Sequence, residues 1–100
     1  MHLVLLPSII RFISAYPESK QPLLSWCDEI KKAHWRSPAD IKAQYAHASI
    51  LKNRRVVFNI KGNSYRLIVA VAYNTGFVFV KFVGTHAQYD AVDANTIEQF

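Results

Sequence analysis

The chain has no carboxylate between Asp40 and Asp90, a stretch that covers about half of its length. The same stretch contains seven lysine and arginine residues, which are Lys42, Lys52, Arg54, Arg55, Lys61, Arg66 and Lys81. In the first forty residues, by contrast, five lysines and arginines are nearly balanced by four acidic residues. Most of the net charge of +5 therefore lies in the second part of the chain, which favours a polyanion as partner. The alternative interpretation is a basic face that contacts only solvent.

Cysteine is nearly absent, because Cys27 is the only one in the chain. A single cysteine excludes an internal disulfide bond and fits a reducing compartment. The apolar residues around it favour a buried helix position over a nucleophilic role. His34 and His47 have no second cysteine or paired carboxylates near them, and a glycine-rich phosphate loop is missing. We therefore expect neither a metal site nor a bound cofactor.

Long apolar runs are also missing. Residues 1–12 are mostly apolar, but they contain Pro7 and Arg11 and lack the basic lead and cleavage site of a secretory signal. No stretch is long enough to span a bilayer. The sequence therefore predicts a soluble, cytoplasmic protein.

Hydrophobic spacing predicts two helices in the first third of the chain. Pro7 suits a first helical turn, and Pro17 disfavours helical geometry at Tyr16, so the first helix should end there. The second helix should begin at Ser19 or Lys20 and reach residue 34, because apolar residues recur at helical spacing between them. After a break at residues 37–40, we expect residues 41–51 to form a loop with room for a helical turn.

The remaining apolar segments alternate as strands do. Segments 56–60, 65–73 and 77–83 are separated by turn residues at 61–63 and 74–76, which predicts a three-stranded antiparallel meander. Residues 1–4 could add a short strand, and residues 85–93 could form one or two helical turns. A chain of 100 residues then makes a single α+β domain, with the helices on one sheet face. The opposite face would be free to be concave and basic.

Arg66 stands out within the middle strand. It shares a face with Ile68, Ala70 and Ala72, and an arginine among so many apolar residues needs a partner. One hypothesis is a phosphate clamp, because a guanidinium donates two parallel hydrogen bonds to phosphate. The other is an intramolecular salt bridge to Asp90 or Glu98.

Other cations border the predicted strands. Lys52, Arg54 and Arg55 precede the first strand of the meander, Lys61 lies in its first turn, and Lys81 interrupts the third strand. Contacts with a nucleic-acid backbone would explain these cations. A solvated loop for the first group, and an edge position for Lys81, would explain them nearly as well.

The segment after the last strand reads Thr85-His86-Ala87-Gln88-Tyr89-Asp90. If it is helical, His86, Tyr89 and Asp90 can share one face. A histidine can exchange protons in RNA transesterification, and a carboxylate can fix its tautomer. Tyr89 could stack on a base or donate to a phosphate. A purely structural histidine is the alternative.

Several of these motifs together resemble the HigB toxin family, whose members are RelE-like toxins of bacterial type II toxin–antitoxin modules. The resemblance extends over nearly the entire chain. It rests most strongly on the hairpin Asn59-Ile60-Lys61-Gly62-Asn63-Ser64-Tyr65-Arg66 and on the Thr85–Asp90 segment. Met1-His2-Leu3, Tyr16-Pro17 and residues 37–42 also match.

The resemblance implies a RelE-like fold and an mRNA interferase. Such an enzyme is an endoribonuclease that needs no metal and usually cuts messenger RNA in the ribosomal A site. The 2′-hydroxyl of the RNA attacks the adjacent phosphate. A HigA-like antitoxin with a helix-turn-helix would hold the toxin inactive and bind operator DNA.

Carried onto this sequence, the resemblance makes Arg66 the residue that binds the scissile phosphate. It also matches His86, Tyr89 and Asp90 to the family's C-terminal motif. Within that motif, His86 is the candidate general acid or base. The resemblance puts Lys52, Arg54 and Arg55 where the family presents basic residues to RNA. A non-catalytic RNA- or ribosome-binding module is the competing hypothesis, in which the cations only dock. A pure interaction protein is a third, and it would show weak salt dependence and no RNA products.

Overall fold

A computed structural model describes all 100 residues. The first two helices are α1 (Ser8–Ala15) and α2 (Lys20–Lys32), joined by one 3₁₀ turn (Pro17–Ser19). Pro7 precedes α1 directly, and Tyr16 ends it with an extended backbone before Pro17. Both predicted helices are therefore confirmed, α2 ending two residues earlier than expected.

The strands form one sheet of five. In chain order they are β1 (His2–Val4), β2 (Ser49–Ile50), β3 (Arg55–Ile60), β4 (Tyr65–Ala72) and β5 (Phe77–Thr85). Their spatial order is β1-β5-β4-β3-β2. The pairs β3–β4 and β4–β5 are antiparallel, so the predicted meander is confirmed.

Three elements differ from the expectations. Residues Pro38–Gln44 form a complete short helix, α3, where a loop with room for a helical turn was expected for residues 41–51. Ser49–Ile50 adds β2 at the sheet edge beside β3. The N-terminal strand β1 does join the sheet, but it pairs with β5 in parallel, so the sheet is mixed.

The main core lies between the helices and one face of the sheet. Trp26 and Trp35 pack against Phe58 of β3, with ring centroids 5.4 and 5.9 Å from it. Cys27 is buried in α2, and burial raises the pKa of its thiol, as a structural cysteine requires. None of the helices has the length and apolar character needed to cross a membrane.

The second face of the sheet is partly covered, although the sequence predicted it to be free. Val57, Ile68 and Phe82 form a small second core there. The residues that pack on it come mainly from the end of the chain, and they are Leu51, Tyr89, Val92, Ala94 and Ile97. These residues leave the end of the face where β4 begins uncovered, since Asn59 there is exposed and Arg66 is half-buried.

Candidate RNA-binding and catalytic site

Strand register places Arg66 at the open end of the second face. Arg66 on β4 lies opposite Asn59 on β3 and opposite Gly84 on β5. Side chains of alternate residues share a face, so Asn59 joins Arg66 there while Ile60 and Tyr65 point into the main core. The face assignment of Arg66 made from the sequence is confirmed.

The contacts of Arg66 are all with uncharged groups. Its Nη1 donates to the side-chain oxygen of Asn59, and its guanidinium lies over the ring of Tyr89, 5.5 Å from the centroid. Its Nε is buried without a hydrogen-bond partner. The salt bridge to Asp90 or Glu98 considered from the sequence does not form, because Asp90 pairs with His86 and Glu98 pairs with Arg55 and Lys81. Arg66 therefore has no anionic partner within the chain.

The segment after β5 turns directly into the short helix α4 (His86–Asp90), as predicted. A capping box sets its start, in which the Thr85 hydroxyl accepts from the Gln88 N–H and the Gln88 side chain accepts from the Thr85 N–H. Gly84 makes room for this turn, because a Cβ there would lie 2.5 Å from the Phe82 ring. These contacts fix α4 beside the strand position that faces Arg66.

His86 and Asp90 form a pair one helical turn apart on α4. The Nδ1 atom of His86 lies 3.1 Å from a carboxylate oxygen of Asp90, and both side chains are about half exposed. Since a carboxylate accepts hydrogen bonds, Nδ1 of His86 is the donor in this pair. Tyr89 lies between them in sequence and carries the ring that contacts Arg66. The structure thus brings Arg66, His86, Tyr89 and Asp90 to one end of the sheet.

The other predicted RNA-binding residues do not all converge there. Lys61 is exposed in the turn between β3 and β4, at the same end as Arg66. Lys52 and Arg54 lie in the turn before β3, at the opposite end of that strand from Asn59 and Arg66. They are exposed, so they can contact RNA only as an extension of the site.

Arg55 and Lys81 are engaged by the C-terminal segment. Arg55 is 6% exposed and donates to the carbonyls of Ala94 and Ile97 and to the carboxylate of Glu98. Lys81 is the extra residue of a β-bulge and lies beyond the part of β5 that pairs with β1, and its Nζ lies 3.1 Å from Glu98. Their predicted contact with RNA would require them to share or lose these partners.

Two features of the site were missed from the sequence. The first is Asn59, which was named only as part of the hairpin motif, although a four-residue turn at 61–64 would have placed it opposite Arg66. The second is the capping box, which could have been predicted because Thr85 and Gln88 are three residues apart, as the two residues of that motif are.

A second polar pair supports the open end of the sheet from the main-core side. The Tyr65 hydroxyl, on the residue before Arg66, donates to Glu18 in the turn before α2. This hydrogen bond lowers the pKa of Glu18 and raises the pKa of Tyr65 to about 12. The pair ties the helical layer to the first residue of β4.

Comparison with known proteins agrees with this architecture. Residues 19–92 match the family model described as HigB toxin, the RelE-like toxic component of a toxin–antitoxin system. The chain is also similar to the mRNA interferase toxin HigB of Escherichia coli K12 and to the mRNA interferase HigB of Shigella flexneri. Each is 27% identical over 92 residues, which cover 90% of this chain and 88% of the relative. The protein therefore belongs to the HigB family of RelE-like toxins.

Proposed function

We propose that this protein is the toxin of a type II toxin–antitoxin module and acts as a metal-independent endoribonuclease on messenger RNA. The observation that carries the proposal is that Arg66 has no anionic partner and contacts Tyr89, on the same short helix that carries the His86–Asp90 pair. A folded protein seldom leaves a partly buried arginine without an anionic partner unless a ligand supplies one. The relatives named as mRNA interferases support RNA as that ligand.

Arg66 would bind the scissile phosphate through Nη2, which has no acceptor within the chain. Charge on the non-bridging oxygens increases as the 2′-oxygen attacks, so a fixed cation there stabilises the transition state more than the ground state. Lys61, exposed at the same end, would contact a neighbouring phosphate.

His86 is the proposed general base. Its Nε2 takes the proton of the 2′-hydroxyl while Asp90 holds Nδ1–H and stabilises the imidazolium that forms. The 2′-oxygen bonds to phosphorus, the bond from phosphorus to the 5′-oxygen breaks, and the leaving oxygen takes a proton from the Tyr89 hydroxyl or from water. The products are a 2′,3′-cyclic phosphate and a 5′-hydroxyl.

The proposed setting is the cytoplasm and the ribosomal A site, where the single domain would cut the message during translation. The positive charge of the chain would steer it to this RNA-rich partner. A HigA-like antitoxin with a helix-turn-helix would hold it inactive and carry the complex to operator DNA.

The test is induction of the chain without its antitoxin, followed by primer-extension mapping of cellular messages. We expect growth arrest and new 5′ ends inside translated codons. His86→Ala should reduce cleavage by about 100-fold or more, because general base catalysis contributes that much. Growth arrest without new 5′ ends would instead favour the non-catalytic ribosome-binding module. Full cleavage by the His86→Ala, Tyr89→Phe double variant would show that neither side chain takes part in the chemistry.

A further inference from the structure

We propose that Asn59 is a positioning residue, which holds the guanidinium of Arg66 with a neutral acceptor so that its charge stays available to a phosphate. This inference rests on the proposed function and deepens it. It starts from the strand pair β3–β4, where Asn59 and Arg66 are direct neighbours. Such cross-strand neighbours have side chains close enough to interact on one face.

Two contacts fix the guanidinium plane. Arginine can only donate hydrogen bonds, so the amide of Asn59 must turn its oxygen towards Nη1. The ring of Tyr89 covers one face of the same group. The remaining terminal nitrogen, Nη2, makes no hydrogen bond within the chain. Its N–H groups are therefore available to a ligand at the open end of the sheet.

The neutrality of the acceptor is the important property. A carboxylate at position 59 would reach the same nitrogen and form a charge-assisted hydrogen bond, which is about twice as strong as a neutral one. Arg55 shows the result within this molecule, because Glu98 neutralises it. A phosphate would then have to compete with a permanent intramolecular anion for Arg66. An amide orients the arginine without that competition.

The experiment compares Asn59→Asp and Asn59→Ala with the native protein and with Arg66→Ala. The aspartate retains the hydrogen bond and adds a charge, while alanine removes the hydrogen bond alone. Three quantities are measured: the melting temperature, kcat and KM for message cleavage, and the salt dependence of binding to an RNA made uncleavable by 2′-deoxy substitution.

We expect Asn59→Asp to melt at the same or a higher temperature and yet to cleave about 100-fold more slowly, as if the phosphate donor were lost. For its binding to single-stranded RNA, a plot of the logarithm of the binding constant against the logarithm of the salt concentration should have a slope smaller in magnitude by about 0.7. This is the change expected when one phosphate contact is lost. Asn59→Ala should lower kcat about tenfold, since one hydrogen bond to a charged group is removed. Its salt slope should be unchanged.

A merely structural role for Asn59 predicts the opposite order, in which aspartate restores activity better than alanine. The inference would be overturned if the aspartate variant were more active than the alanine variant. It would also be overturned if Asn59→Asp cleaved as fast as the native protein or failed to fold. If Arg66→Ala is inactive while Asn59→Asp is fully active, only the role of Asn59 fails. If Arg66→Ala itself cleaves normally, the proposed function and this inference fail together.

Discussion

Arg55 and Arg66 lie on neighbouring strands and on the same face of one sheet, yet their surroundings differ completely. Arg55 is buried and donates to two carbonyls and to Glu98. Arg66, about 13 Å away along the strands, contacts only an amide and a phenol ring. The number of cations in a stretch of sequence therefore does not tell how many of them are free to bind a ligand. The few carboxylates of the chain decide which cations remain free for a ligand.

The largest expected effect is the loss of RNA cleavage when Arg66, and not Arg55, is replaced. Arg66→Ala should reduce cleavage by about 100- to 1,000-fold, because a donor to the transition state is lost. Its melting temperature should change little, since the partners it leaves behind are uncharged. Single-turnover cleavage and a thermal melt measure both quantities. Undiminished toxicity of a stably expressed Arg66→Ala protein would contradict the site.

Arg55→Ala should show the reverse pattern. Removing it leaves the carbonyls of Ala94 and Ile97 without this donor and leaves Lys81 as the one remaining ionic partner of Glu98, at a cost on the order of 2–3 kcal/mol in the free energy of unfolding. Urea unfolding measures this loss, and Lys52→Ala serves as a control cation that makes no ion pair. If Arg55→Ala is as stable as the control and loses RNA binding instead, the two arginines have the same role.

Lys81→Gln should give the smallest effect. Its ion pair with the half-exposed Glu98 is of the type that contributes about 0.2–1 kcal/mol and weakens with added salt. A double-mutant cycle with Glu98→Gln isolates the pair energy from the bond that Glu98 makes with Arg55. A coupling that persists at high salt, or a large loss of RNA binding in Lys81→Gln, would show that Lys81 belongs with Arg66.

The elements that were predicted correctly have strong local signals. Pro7 and Pro17 limit α1, and the turn residues around Gly62 and Gly76, both with positive φ, limit the meander strands. Helix α3 was missed because Ile41 is its only buried residue, so no periodic stripe marks it. The parallel β1–β5 pair joins residues more than seventy positions apart, and no local pattern specifies such a pairing.

The site was predicted in part for similar reasons. Alternation placed Arg66 on the correct face, and helical spacing brought His86 and Asp90 together. The sequence could not say which cation Glu98 would neutralise, because that choice depends on where residues 93–100 cross the sheet. The path of residues 93–100 across the sheet determines the ion pairs of Arg55 and Lys81. It also determines how much of the second face is covered.

The order of the elements along the chain has a consequence for the cell that makes the protein. Helices α1 and α2 emerge from the ribosome first, whereas β4, β5, α4 and the segment that holds Arg55 emerge last. Because β1 also needs β5 as its neighbour, the sheet cannot be completed until residues 77–85 have left the ribosome. Under the proposed function, a nascent toxin would stay harmless to its own message until β5 and α4 had emerged and folded.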